Sequence, residues 1–96
     1  MPAVTRKDDA DVPHCSPMKR AEHSPTVYAN NKPISRQGDN NTSHLLPPAP
    51  CPSHTAPITI GSTTVFINNK GCGRIGDAIT GCTSVAEGSP TVFAGG

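Results

Sequence analysis

Four cysteines and four histidines give this 96-residue chain most of its capacity for chemistry: Cys15, Cys51, Cys72, Cys82, His14, His23, His44 and His54. Thiolates and imidazoles are the usual ligands of zinc in proteins. The sequence has no leader typical of a signal peptide and no apolar run close to the ~20 residues of a membrane span. We therefore expect synthesis in the cytoplasm, where thiols stay reduced. The pattern favours a metal site, and two disulfides in any of three connectivities are the alternative.

The elements that must position these residues are strands, because the chain repeats one β phrase three times. The phrase Ser-x-Thr-Val-aromatic begins at Ser24, Ser62 and Ser89, and each copy ends in Asn-Asn or Gly-Gly. β-branched and aromatic residues favour strands, and Asn-Asn or Gly-Gly is typical of a tight hairpin turn. Each copy therefore predicts the incoming strand of one hairpin.

A second phrase supplies the outgoing strands. Arg-x-Gly-Asp occurs at 36–39 and 74–77, and a weaker copy occupies 3–9. The chain thus starts with the outgoing strand of a unit whose incoming strand ends at Gly96. If the two terminal segments pair, three hairpins surround a pseudo-three-fold axis and few sheet edges stay open. We predict a small all-β domain over 1–96, with no fused effector domain.

The composition limits both the stability of this domain and its partners. The chain has no Trp, one Tyr, two Phe, 9 Gly and 11 Pro. Such a thin core usually needs a staple, for example a metal. The formal net charge of +1 argues against a nucleic-acid partner, which requires a basic face.

The repeat frame indicates which Cys and His residues bind the metal. Each loop between an Arg phrase and the next strand serine offers a ligand at a similar distance before that serine, and the three are His14, His54 and Cys82. Structural zinc needs four ligands, and Cys51 makes a compact Cys-x-x-His pair with His54. We predict a zinc site towards the pseudo-three-fold axis, formed by His14, Cys51, His54 and Cys82, and iron accepts the same ligands.

The other Cys and His residues have competing interpretations. Cys15 adjoins His14 and is an alternative first ligand, and His44 is an alternative within the long, Pro-rich second loop. Cys72 aligns with Ile34 in the repeat, which predicts a small apolar core residue. His23 precedes a strand serine where the other copies have glycine, which favours a surface position beside a turn.

The combined motifs resemble those of the proline-alanine-alanine-arginine (PAAR) repeat proteins. The resemblance covers essentially the whole chain and rests on Ser-Pro-Thr-Val-Phe at 89–93 and Pro-Ile-Ser-Arg-Gln-Gly-Asp at 33–39. It implies a small β cone of three repeats, with zinc at the apex and a flat base that caps a trimeric β-helical spike. The first motif, at 2–6, has one extra residue between Pro and Arg, and the third is Gly-Cys-Gly-Arg at 71–74.

The resemblance also implies a function and a location. Such cones form the tip of contractile injection machines, namely type VI secretion systems and contractile phage tails. The expected partners are the spike trimer, with one cone per trimer, the target membrane in passing, and a separate effector cargo. The protein would be made in the cytoplasm, sit at the tip of the machine in a virion baseplate or a secretion spike, and be delivered outside or into the target on firing.

Two other functions compete with this one. A zinc ion with an open coordination position could activate water, with Asp39, Asp77 or Glu87 as a base. The chain lacks His-Glu-x-x-His, however, and is small for a substrate pocket of ~300 Å³. A small zinc-stapled adaptor that carries cargo or a partner is the second alternative. We expect a structural protein and not an enzyme.

Overall fold

Six short strands form three separate antiparallel pairs in the part of the chain that the structure describes. The computed structural model describes residues 1–13, 17–42, 44–45 and 53–95, with the backbone alone for 44–45 and 53–54. The pairs are Tyr28–Ala29 (β1) with Lys32–Pro33 (β2), His44–Leu45 (β3) with Ser53–His54 (β4), and Phe66–Ile67 (β5) with Lys70–Gly71 (β6). The described residues contain no helix. The all-β prediction is confirmed.

Tight turns close β1–β2 and β5–β6, because their Asn-Asn pairs adopt the left-handed conformation. The φ angles are 54° and 66° at Asn30 and Asn31, and 53° and 66° at Asn68 and Asn69. Two successive positive φ angles define the turn whose twist matches that of paired strands, and Asn tolerates this region better than most residues. The predicted hairpins at these two positions are confirmed.

The third hairpin is built from the two ends of the chain. Ala3 pairs with Phe93 in antiparallel register, the amide of Ala94 donates to the carbonyl of Pro2 (3.0 Å), and the amide of Val4 donates to Val92 (3.0 Å). We call β1–β2, β5–β6 and this terminal pair the base hairpins. The pairing confirms the predicted closure.

Contacts between the turns and the serines close the three base hairpins into a ring. Ser24 donates to the side chain of Asn68, and Ser89 donates to that of Asn30. At the third junction Ser62 donates to the backbone carbonyl of Gly95, which replaces the asparagine oxygen. Each turn thus rests on a neighbouring unit, and the cyclic order gives the domain its pseudo-three-fold symmetry.

Each Arg phrase forms a turn that its own ion pair stabilises. Arg6–Asp9, Arg36–Asp39 and Arg74–Asp77 lie 2.9, 2.8 and 2.9 Å apart. The residue before each aspartate has φ of 72° at Asp8, 85° at Gly38 and 88° at Gly76. This left-handed position explains the glycine of the phrase, and aspartate can occupy it at some cost.

Among the described side chains, two apolar clusters fill the interior. The cluster at the base contains Val4, Ala29, Ile34, Ile67, Cys72 and Ala94, and the cluster towards the apex contains Ala56, Ile58, Ile79 and Val85. Cys72 is completely buried, and burial raises the pKa of its thiol to about 11. The prediction that Cys72 fills the core is confirmed.

A closed ring of backbone hydrogen bonds lies between the outgoing strands. Thr5 donates to Gly73 (2.9 Å), Ser35 donates to Thr5 (3.0 Å), and Gly73 donates to Ser35 (3.0 Å). All three residues are buried. The repeat places them at the same position, immediately before the arginine. The ring therefore marks the pseudo-three-fold axis.

Gly73→Ala should destabilise the protein by about 1–3 kcal/mol, because a Cβ there would lie 2.7 Å from the Ser35 carbonyl oxygen. That oxygen belongs to the axial ring and cannot move away without breaking it. Gly95→Ala is the matched control, because its Cβ would first meet the flexible Met1 side chain at 3.3 Å. Urea unfolding of both variants is the measurement. Equal midpoints would contradict the role of the ring.

Candidate functional site

Three loops meet at the end of the domain opposite the base hairpins. We call them apex loops 1, 2 and 3, at 11–18, 41–56 and 79–83. Backbone pairing just before and after each loop brings its ends together, and the pairs are Ala10 with Lys19, Asn40 with Pro57, and Ala78 with Ser84. The strands β3 and β4 pair within loop 2. The repeat thus places all the loops with predicted ligands at one end.

The four predicted zinc ligands differ in what the structure describes of them. His14 and Cys51 lie outside the described residues, as does the alternative Cys15. The backbone of His54 lies in β4, where its register partner is His44, so the preferred and the competing histidine stand opposite each other. The side chain of Cys82 is described and half-buried. The described side chains include no group of three or more potential metal ligands, so the predicted set stays a prediction.

Asn41 is a buried amide that contacts all three apex loops. Its nitrogen approaches Asp11 (3.2 Å) and Met18 (3.3 Å) in loop 1, and the Cys82 sulfur (3.9 Å) in loop 3. Its oxygen accepts a hydrogen bond from the backbone amide of Ala56 in loop 2 (2.9 Å). One side chain therefore helps to fix the position of Cys82 relative to the other two loops.

Opposing influences act on the Cys82 thiol. Burial raises its pKa, and the hydrogen bond from Asn41 lowers it in part by favouring the thiolate. The Met18 sulfur lies 4.0 Å from the Cys82 sulfur. A thiolate is the form that binds zinc, so a metal would have to displace the proton that burial favours.

A buried ion pair joins the start of apex loop 1 to the segment that follows the loop. Arg20 and Asp11 have completely buried side chains, with Nε and Oδ1 3.5 Å apart, and Arg20 also donates to the Asp39 carbonyl oxygen (3.4 Å). Burial lowers the pKa of the Arg20 guanidinium, and Asp11 raises it in part. In the repeat, Arg20 aligns with the apolar Ile58 and Val85. This pair was not predicted from the sequence, where a charge at an otherwise apolar repeat position was the available signal.

The three carboxylates suggested above as a catalytic base all have structural partners. Asp39 and Asp77 are ion-paired with the arginines of their own turns, and Glu87 accepts a hydrogen bond from the backbone amide of Ala10.

The expectation that the chain offers little pocket volume is wrong. A crevice of about 310 Å³ lies beside loop 1, lined by Ala10, Asp11, Pro13, Pro17, Met18, Lys19 and Thr42. Its one carboxylate, Asp11, is the partner of Arg20.

A second surface with a possible function lies at the base. Tyr28, Phe66 and Phe93 occupy the same repeat position, and their side chains are 57%, 59% and 49% exposed. They are all the aromatic residues of the chain other than histidine.

His23, predicted to lie on the surface beside a turn, is partly buried, and its Nδ1 lies 2.8 Å from the Ser24 carbonyl oxygen.

Comparison with known families gives one result that bears on both surfaces. The family described as the PAAR motif matches residues 49–96, which is half of the chain. The match includes apex loop 3 and the incoming strands that begin at Ser62 and Ser89. No curated protein matches the chain. No helix in the described part of the chain is long and apolar enough to cross a membrane.

Proposed function

The chain belongs to the PAAR-motif family, a family of spike-tip proteins of contractile injection systems, and from this we propose that it caps a trimeric β-helical spike. One chain would sit on each trimer, in a type VI secretion system or a contractile phage tail. The cone would reach the target membrane first and help to pierce it.

The ring of base hairpins is the observation that carries this proposal. Three units from one chain contact each other in cyclic order through Ser24, Ser62 and Ser89. A monomer with this arrangement can offer near-equivalent contacts to all three subunits of a symmetric trimer. A partner with a single subunit would use the contacts of only one of the three units.

A stiff tip needs apex loops that resist separation under an axial load. We propose that zinc, or iron, held by His14, Cys51, His54 and Cys82 joins these loops. The chemistry of the donor set fits, and the backbone pairs at their ends bring the three loops to the same end of the domain. The metal would supply cross-linking alone, while Asn41 and the Arg20–Asp11 pair hold the ends of loops 2 and 1 in place.

The stoichiometry of the complex tests the proposal. The chain is mixed with a recombinant trimeric β-helical spike protein, and native mass spectrometry counts the subunits. We expect one chain per three spike subunits, and the same ratio when the chain is in excess. Three chains per trimer would show that each subunit has its own site, and no complex with any spike trimer would contradict capping.

An adaptor that binds cargo is the second candidate, and the crevice beside loop 1 favours it. Such an adaptor would bind a single-chain partner at 1:1 and would not require a trimer. The carboxylates suggested as a base, Asp39, Asp77 and Glu87, are all in structural use, which weighs against a zinc hydrolase. Assay of the metal-loaded protein against ester and peptide substrates, with no turnover expected, tests the non-enzymatic role.

A further inference from the structure

We infer that Tyr28, Phe66 and Phe93 are the anchors with which the base holds its partner. The inference rests on the proposed function and specifies its interface. The partner would present three equivalent apolar pockets, one from each subunit of a symmetric trimer.

Strand alternation places these side chains on the outer face of the base hairpins. Each aromatic residue is followed by a residue that packs in the core: Ala29, Ile67 and Ala94 are 3%, 9% and 1% exposed. Neighbours along a strand point to opposite faces. The aromatic rings therefore point away from the core at all three positions.

Their exposure is unusual for this chain. The interior is filled by alanine, valine, isoleucine, methionine and cysteine, although the core is thin and an aromatic ring would bury more area. All three of these large rings instead remain on the surface. Aromatic residues are enriched at interfaces and among the residues that dominate binding energy.

The repetition indicates the symmetry of the partner. Ile60 and Ile75 are exposed but are not repeated in kind, because Ile60 aligns with Glu22 and Glu87, and Ile75 aligns with Lys7 and Gln37. The valine before each aromatic residue is repeated, but Val65 and Val92 are only 37% exposed and Val27 packs against the core. The aromatic position, in contrast, is filled by a large ring in all three units. A flat patch that binds a single-chain partner would not require a large ring in every unit, whereas three equivalent pockets would.

The backbone that carries the rings is held in place before binding. The turn after Tyr28 is fixed by Asn30, whose side chain accepts from Ser89 and donates to Thr91 (2.9 Å). The turn after Phe66 is fixed in the same way, since Asn68 donates to Thr26 (3.0 Å). Anchors on such a frame lose little backbone freedom on docking, which favours affinity.

The test measures binding of the full chain to a recombinant trimeric β-helical spike protein by calorimetry. Tyr28→Ser, Phe66→Ser and Phe93→Ser are each expected to weaken binding at least about 10-fold, and the triple variant to abolish it. Ile60→Ser is the matched control, because it removes an equally exposed apolar side chain (60%) outside the repeated position, and it should change binding less than about 3-fold. Thermal unfolding checks that the variants stay folded.

The outcomes separate this inference from the proposed function. If the wild type binds the trimer and the triple variant binds equally well, the anchors are wrong and capping stands. An equal loss of binding affinity in Ile60→Ser would also contradict the role of the three rings as anchors. If sedimentation shows that the rings instead join two copies of this chain, the trimer is not their partner. If the wild type binds no trimer, the proposed function fails and the anchors fail with it.

Discussion

Cys82→Ala is expected to leave the protein without its metal and to lower the free energy of unfolding by as much as about 10 kcal/mol. A structural zinc ion contributes directly to folding, because the unfolded chain does not hold its ligands together. Cys82 is the predicted ligand of apex loop 3, so its loss would release that loop from the other two. Elemental mass spectrometry of untagged protein, with thermal unfolding, is the measurement.

Cys72→Ala is the matched control for this experiment. It removes the other described thiol, which is fully buried at the base and has a pKa of about 11. Its metal content should stay at one ion per chain, with a modest loss of stability from the smaller side chain. A metal-free wild type, or one ion retained in Cys82→Ala, would contradict the site.

The same assay decides between the paired histidines and between the first-loop candidates. His54→Ala is expected to lose the metal and His44→Ala to keep it, although the two residues are register partners. His14→Ala should likewise lose the metal and Cys15→Ala should keep it. The reverse result in either pair would exchange one ligand and leave the structural role of the metal intact.

Asp11→Ala is expected to destabilise the protein by about 3–5 kcal/mol, because it leaves the Arg20 guanidinium buried without its carboxylate. The remaining contact, with the Asp39 carbonyl oxygen at 3.4 Å, does not neutralise the charge. Glu87→Ala removes an exposed carboxylate and its hydrogen bond to Ala10, and should cost less than about 1 kcal/mol. Urea unfolding at neutral pH compares the two variants.

A double variant shows whether the fold needs this ion pair, or only needs neither charge to be left without the other. Asp11→Ile with Arg20→Ile copies the residues that the second unit has at these positions, Ile79 and Ile58. Replacing a buried ion pair with apolar residues is often neutral or stabilising. We therefore expect the double variant to be more stable than Asp11→Ala. A double variant that is less stable would show that the charges do more than satisfy each other.

Local sequence chemistry predicted much of the fold. Asn-Asn turns and β-branched strands made the hairpins at 24–35 and 62–73 predictable, and the repeat frame predicted that the two terminal segments pair, as Ala3 and Phe93 do. The core position of Cys72 followed from its alignment with Ile34. These features depend on the backbone preferences of the residues and on the alignment of the repeats. Both can be seen in a single sequence.

The contacts between units were decided by the tertiary structure alone. Ser62 donates to Gly95 across 33 residues, and Asn41 reaches Cys82 across 41, so no local pattern encodes these pairs. The burial of Arg20 with Asp11 likewise depends on which side chains face the axis once the ring has closed. The three hairpins and their cyclic order follow from the repeated phrases, because turn chemistry and strand periodicity act locally. Only the folded chain decided which polar groups meet inside the ring, because those meetings depend on packing between distant units.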